Sequence, residues 1–271
     1  MLLDSIDLTS RLCASSRPWR HVDIRDVVDS TNTVALELST ADGQPWRLVA
    51  ADHQSGGRGR QGRVWSSPPG TSISLSMVVP LEGLDPLAPG PPGSRAQRIG
   101  WLPLLAGLAV SHALGRLSGR PAAFAVKWPN DVLARPTRSV GPPDAPPTLK
   151  VCGILCQAIL GAPNGSPSAL AVVGIGVNVC VDASELPVPD ATSLADCCAR
   201  RVPTREEVIV AIADEFVWWY SQFADNAGGM ARVQSAYDVA CATLGEQVRV
   251  HLPGERTLLG RAERVDSQGR L

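Results

Sequence analysis

The residues best suited to chemistry lie in one stretch, Gln54-Ser-Gly-Gly-Arg58-Gly-Arg60-Gln-Gly-Arg63-Val-Trp65. Three guanidinium groups at alternating or near-alternating positions on a glycine-rich backbone suit a clamp that closes on anions. Arginine supplies planar donors matched to carboxylate and phosphate, and glycine lets the backbone wrap a ligand without Cβ clashes. Where two anions must meet to react, such a clamp neutralises their repulsion and shields a hydrolysable product. Gly57, Gly59 and Gly62 formally spell the dinucleotide-binding fingerprint, but that pattern works only where it opens a helix that holds pyrophosphate. Here Ser66-Ser-Pro68-Pro69-Gly70 follows, which cannot continue a helix. No Gly-Lys pair occurs in the chain, so there is no P-loop. On residue types alone, the stretch also fits a solvated basic loop or a nucleic-acid-binding Gly/Arg segment.

Four further constellations carry polar groups at positions a ligand could reach. Lys127-Trp-Pro-Asn130-Asp131 puts a cation, an amide and a carboxylate at a strand end, where the bland alternative is a Pro-Asn-Asp turn capping its own backbone. Lys150 opens Lys150-Val-Cys-Gly153-Ile-Leu, which otherwise reads as an edge strand with its lysine in water. Asp29-Ser30-Thr31-Asn32 precedes an apolar helical pattern, so Ser30 or Thr31 is a good N-cap whatever else it does. Gly174-Ile-Gly176-Val-Asn178 ends an apolar strand, and a buried bulge with a satisfied asparagine is the competing explanation.

The elements that must position these groups can be traced from periodicity. Strands are expected over Trp19 to Val28, Arg47 to Ala51, Ile73 to Val79, Phe124 to Trp128, Lys150 to Leu160 and Ala169 to Val179. Helices are expected after Asn32, over Ala96 to Leu117, over Thr204 to Phe223 with a Thr204/Glu207 capping box, and over Met230 to Leu244. Pro86 to Gly93, Arg135 to Thr148 and Gly161 to Pro167 are rich in proline and glycine and read as exposed connections, the second as a long insertion. Gln247 to Leu252 and Leu258 to Val265 read as a closing β-hairpin. Trp218 and Trp219 are expected in the core.

Composition excludes several classes. The 271 residues are 44% apolar and 19% charged, ordinary for a globular chain. A formal net charge of −1 argues against a surface devoted to nucleic acid or anionic lipid, so anion binding is expected to be local. The opening residues lack the pattern of a secretory signal, and no apolar run approaches the ~20 residues of a membrane span. A cytoplasmic location with no membrane partner is therefore expected. The seven cysteines contain no CxxC pair, and the four histidines have no ligand or triad spacing, so no protein-bound metal centre is expected.

Taken in order, DSTN, Q..GRGR.GR.W, KWPND, K..GIL and G.G.N resemble the signatures of the biotin protein ligases, from Asp29 to Asn178. The resemblance implies an α+β catalytic domain like that of class II aminoacyl-tRNA synthetases, a mixed sheet with packed helices, over residues 1–244. It implies that residues 245–271 begin a small SH3-like barrel, here apparently incomplete. It also implies ATP, Mg2+ and biotin as reactants, and a biotin carboxyl carrier protein domain of a biotin-dependent carboxylase as partner. With fewer than thirty residues before Asp29, the expected type is the monofunctional one, with no DNA-binding domain and no nucleic-acid partner, as a monomer or weak homodimer.

By resemblance, Lys150 and Arg58 would be catalytic. Ser30, Thr31, Asn32, Gln54, Arg58, Gly59, Arg60, Lys150 and Gly153 would hold biotin. Arg60, Arg63, Trp65, Lys127, Asn130, Asp131 and Asn178 would hold ATP and the adenylate, with Asp131 supporting the site or a magnesium ion.

Overall fold

The computed structural model describes residues 2–81, 99–137, 147–159, 169–225, 228–252, 254 and 256–271. The connection at Pro86–Gly93, the turn at Gly161–Pro167 and the middle of the insertion at Arg135–Thr148 lie outside these residues.

A mixed seven-stranded sheet runs β1-β2-β3-β7-β6-β5-β4. Its strands are β1 (His21–Val28), β2 (Arg47–Gln54), β3 (Ser72–Pro80), β4 (Phe124–Lys127), β5 (Asp131–Ala134), β6 (Leu149–Ile159) and β7 (Leu170–Asn178). Only β1 and β2 are parallel; the other neighbours run antiparallel. Lys150 thus lies on an interior strand rather than an edge, because β6 is flanked by both β5 and β7. Asp131 opens β5 rather than sitting in a simple turn.

Alternation along the central strands divides the sheet into two faces. Leu75, Met77, Ile154, Val173, Ile175 and Val177 join the main core, which is filled from the other side by α3 (Leu102–Ser118), α5 (Arg205–Ala224) and α6 (Gly229–Ala240). Their alternates face α2 (Thr31–Asp42), which covers only part of the sheet through Ala35, Val49, Val78, Leu170 and Val172. Beside this patch the same face carries the small residues Ser74, Ser76, Gly174, Gly176 and Gly153, with Ser76 and Gly174 beneath the first turn of α2. Register sets them side by side: Ser74 opposite Gly176, Ser76 opposite Gly174, and Gly153 opposite Gly176 on the other flank. Strand β7 is regularly paired through Asn178, so no bulge forms there.

Several expectations are adjusted. The polar start contains α1 (Ser5–Leu12), capped by Asp4, whose carboxylate accepts from the Ile6 and Asp7 amides. Residues 99–101 form a 3-10 turn, and α3 proper begins at Leu102. Helix α6 stops at Ala240, not Leu244, because the chain leaves the helix to pair with β4: Cys241 bridges Val126, and the Ala242 amide donates to the Val126 carbonyl at 2.9 Å. A short helix α4 (Leu194–Cys197) follows the loop after β7. Trp219 is buried, but Trp218 is 53% exposed. The Thr204/Glu207 capping box of α5 forms as expected.

The closing hairpin is present as β8 (Gln247–His251) and β9 (Thr257–Arg261), a separate two-stranded sheet. Beyond it the chain returns to the main core. Val265 is fully buried, and the Trp101, Trp128 and Gln234 side chains donate to the carbonyls of Asp266, Gly269 and Val265 at 3.0–3.1 Å.

Candidate functional site

The small-residue floor of the sheet opens into a cavity of about 320 Å3. Two bulky side chains rest on the floor, and its glycines make room for them. A Cβ at Gly174 would stand 2.2 Å from Asn32 Oδ1, and one at Gly176 would stand 2.5 Å from Trp65 Cε2. A Cβ at Gly153 would press on both Trp65 and the Lys150 side chain, at 3.0 and 3.4 Å.

At one end, the N-terminus of α2 meets the end of β2. Ser30 occupies the N-cap position, but its hydroxyl makes no capping bond. The Gln54 Oε1 accepts from the Thr31 amide at 2.7 Å, which fixes the orientation of its amide group. Asn32 donates through Nδ2 to the Leu155 carbonyl and to Gln157 Oε1, while Ser76 Oγ lies 2.7 Å from its Oδ1. Ser30, Thr31 and Asn32 are all nearly buried, and this end of the cavity is a fixed hydrogen-bonding surface.

The Gly/Arg stretch folds into a compact turn. The Gly59 amide donates to the Arg63 carbonyl at 2.7 Å and the Trp65 amide to the Gly57 carbonyl at 2.9 Å, which brings the Trp65 ring back onto the floor. Gly57 carries that close approach, since a Cβ there would lie 2.4 Å from the Trp65 carbonyl oxygen. Arg58, Arg60 and Arg63 are exposed around the mouth. Arg58 is 3.8 Å from the Asp29 carboxylate, a loose pair at the surface.

At the opposite end, Lys127, Asn130 and Asp131 line the cavity beside Lys150. Asn130 is locked to β6, since its Nδ2 donates to the Ile154 carbonyl at 2.8 Å and its own carbonyl accepts from the Ile154 amide at 2.9 Å. The Trp128–Pro129 peptide is cis. Lys150 Nζ is 2.8 Å from Asp131 Oδ1 and 5.9 Å from the Trp65 ring centroid. The backbone of Lys150 is gripped on both sides, its amide donating to the Asp190 carbonyl at 2.7 Å and its carbonyl accepting from the Thr192 amide at 2.8 Å. Asn178 is buried, and its Nδ2 donates to the Thr192 carbonyl at 3.2 Å. Among the described residues no group of three His, Cys, Asp or Glu could hold a metal ion. Burial pushes the Cys156 thiol up to about 12 and raises the Cys152 thiol as well, so these thiols beside the floor stay protonated.

The sequence profile of the Biotin/lipoate A/B protein ligase family matches residues 24–178. The chain belongs to that family. A biotin--[acetyl-CoA-carboxylase] ligase of Mycobacterium tuberculosis is 33% identical over 272 residues, covering 99% of this chain and 89% of its own. A protein of the same name from Paracoccus denitrificans is 31% identical, covering 90% of each chain. The solved biotin protein ligase from Aquifex aeolicus in complex with biotin and ATP superposes with a TM-score of 0.66 over 93% of this chain and 90% of that one, at 24% identity, a likeness of fold.

Against the signatures of biotin/lipoate ligases, the structure brings every expected residue to one place. Ser30, Thr31, Asn32, Gln54, Arg58, Gly59, Arg60, Arg63, Trp65, Lys127, Asn130, Asp131, Lys150, Gly153 and Asn178 all line the cavity. Sequence reasoning overlooked Leu155, Val188 and Asp190, which also line it, and Ser76 and Gln157 behind it. The strict alternation Ser72-Ile-Ser74-Leu-Ser76-Met was a legible sign that one face of β3 stays small and polar.

Proposed function

We propose that this member of the family activates biotin with Mg-ATP to biotinyl-AMP and passes the biotinyl group to a lysine of a biotin carboxyl carrier protein domain. The observation that carries the reading is the placement of Lys150. It lines one cavity with the hydrogen-bonding groups of Thr31, Asn32 and Gln54 and with Lys127, Asn130 and Asn178, and stands 2.8 Å from Asp131 at the end where a carboxylate and a phosphate would meet. The near-complete match in length and the 31–33% identity to two proteins named as biotin--[acetyl-CoA-carboxylase] ligases support it.

In the first step the biotin carboxylate oxygen attacks the α-phosphorus, the bond to the β-phosphate oxygen breaks, and pyrophosphate leaves. Lys150 places its ammonium where negative charge develops, and the salt bridge to Asp131 holds that ammonium in position. The arginines at the mouth neutralise the incoming anions and exclude water from the mixed anhydride. In the second step the neutral amine of the carrier lysine attacks the acyl carbon, AMP leaves with the bonding electrons, and the amine loses a proton.

Magnesium suits this site as part of the nucleotide. The lining carboxylates are Asp131, already paired with Lys150, and Asp190, so a magnesium ion would arrive with the nucleotide phosphates and would draw at most these two carboxylates from the protein. Residues 1–244 form the catalytic unit in this reading and 245–271 an appended module, a β-hairpin whose closing segment packs back on that unit through Val265.

Mass spectrometry of the purified protein with Mg-ATP and biotin, with lipoate in a parallel reaction, tests the proposal. Biotinyl-AMP and pyrophosphate from biotin, followed by a mass gain on an added carrier domain, are expected. An adenylate formed only from lipoate, or from neither acid, would overturn it.

A further inference from the structure

The two outer strands of the sheet end differently. Beyond β4 the chain itself continues the pairing, with Cys241 bridging Val126 and the Ala242 amide donating to the Val126 carbonyl at 2.9 Å. Beyond β1, among the described residues, no strand follows. That open edge, His21-Val-Asp-Ile-Arg-Asp-Val-Val28, has no proline or glycine and runs against β2 without a shift of register. Nothing in its own course turns it away from a further strand.

The backbone groups that face outward follow from the ladder with β2. In a parallel pair one residue turns both its N–H and its C=O to the neighbour, and the next turns both away. The Arg20 amide donates to the Trp46 carbonyl at 2.8 Å, and the Val28 carbonyl accepts from the Ser55 amide at 2.9 Å. Even positions therefore face β2, and His21, Asp23, Arg25 and Val27 offer their backbone groups to whatever lies beyond. Because side chains alternate, these four also share one face of the strand. On that face the Arg25 guanidinium donates to the Asp23 carboxylate at 2.6 and 3.0 Å, and Val27 is 63% exposed.

An antiparallel partner must set its own outward residues against these four. For a second copy of β1 related by a two-fold axis, three registers engage at least three of the four. With the axis at Asp23 two carboxylates oppose each other, and with the axis at Arg25 two guanidinium groups do. With the axis at Ile24, Asp23 of each copy lies opposite Arg25 of the other, and His21 opposite Val27. Like charges directly opposite destabilise a strand pair, and unlike charges stabilise it. Charges on an edge ordinarily ward off a further strand, but this ordered pair of opposite sign repels in two registers and attracts in the third. The attractive register is also the one that uses all four outward residues, with about eight backbone hydrogen bonds. On the other face it sets Ile24 against its own copy. Ile6 of α1, 82% exposed, lines a groove with Val22 and Ile24, so that side of the seam is apolar.

We propose that β1 is a self-association edge that joins two copies of this chain antiparallel about Ile24 into one continuous sheet, with Asp23 and Arg25 setting the register. The proposal does not rest on the ligase reading, since none of the four outward residues lines the cavity. The contact is little more than one strand wide, so the dimer is weak, with a dissociation constant on the order of 10–100 μM.

Sedimentation equilibrium of the full chain, from micromolar to submillimolar concentration and at low and high salt, tests it. The parent is expected to pass from monomer to dimer, and to dimerise several-fold more weakly at high salt. Arg25→Asp and Asp23→Arg each set like charges opposite each other, and each alone should dimerise at least about tenfold more weakly. Mixed, the two variants restore attraction in both pairs, so a heterodimer of about parental affinity is expected. The double exchange of Asp23→Arg with Arg25→Asp on one chain should dimerise as the parent does, because only the Ile24 axis keeps unlike charges together. Should a single variant fail to fold, the uncharged chain with Asp23→Asn and Arg25→Gln should dimerise more weakly than the parent and lose the salt dependence. A parent that stays monomeric throughout, single variants that dimerise as the parent does, a mixture that stays monomeric, or a double exchange that does not dimerise would overturn the proposal.

Discussion

Gly174 and Gly176 lie two residues apart on the same face of the same strand, yet an added methyl should do different damage at each. At Gly174 the Cβ would stand 2.2 Å from Asn32 Oδ1, 2.8 Å from Cγ and 3.0 Å from Nδ2, whereas ordinary contact begins near 3.4 Å. The whole amide must retreat by roughly 1 Å, a displacement that hydrogen bonds do not survive at full strength. Three of them hold it, to Leu155, Gln157 and Ser76, each worth about 1 kcal/mol net. Overpacking a buried site adds about 1–3 kcal/mol. With about half of the hydrogen-bond contribution lost, Gly174→Ala should therefore destabilise the fold by roughly 3–4 kcal/mol and raise the KM for biotin.

At Gly176 the Cβ would stand 2.5 Å from Trp65 Cε2. That ring hangs from a turn at the cavity mouth, and its Nε1 has no hydrogen-bond partner among the described residues. It can tilt away at a cost below about 1 kcal/mol, since no hydrogen bond is broken. The loss then falls on function: Trp65 leaves its place beside Lys150, and the KM for ATP should rise while that for biotin changes little. Urea unfolding together with pyrophosphate release, measured against each substrate in turn, separates the two variants. If Gly176→Ala loses as much stability as Gly174→Ala, or if Gly174→Ala affects ATP alone, the account of the floor is wrong.

Removing the ammonium at Lys150 should be costly mainly in rate: Lys150→Ala is expected to lower adenylation kcat by roughly 10^2–10^3, with the biotin dissociation constant changing far less, checked by single-turnover kinetics. Arg58→Ala should speed leakage of the adenylate by weakening closure of the arginine turn, and equal retention of biotinyl-AMP in variant and parent would refute this. Hydrogen bonds from Arg201 and then from the Thr204 amide hold the Glu207 carboxyl down at about 2, against an ordinary 4.5. Its contribution to α5 is thus complete above pH 4.5 and is lost as the pH falls toward 2. Because Arg201 is mostly exposed, the stability gap between the parent and Glu207→Gln should be only ~1 kcal/mol at neutral pH and should close over that acid range in urea titrations.

The polar motifs were legible because each is a short local string whose meaning does not depend on register, and every residue they led one to expect at a ligand lines one cavity. What escaped was whatever depends on a partner far along the chain. Nothing local to Met230–Leu244 says that α6 must stop at Ala240, since the stop is set by the open edge of β4, more than a hundred residues earlier. Nor could the reason for Gly174-x-Gly176 be read from the strand that carries it. The first glycine answers to Asn32 and the second to Trp65, residues from α2 and from the arginine turn that meet the strand only after the sheet has formed. Ser76 escaped for the same reason: its alternation with apolar residues marks a polar face, but that it meets Thr31 and Asn32 follows from the packing of α2 on β3. The groups that touch a ligand are therefore visible as motifs, whereas the groups that hold those motifs in place come from tertiary packing. Substitutions in this second set should change substrate affinity while leaving every recognisable signature intact.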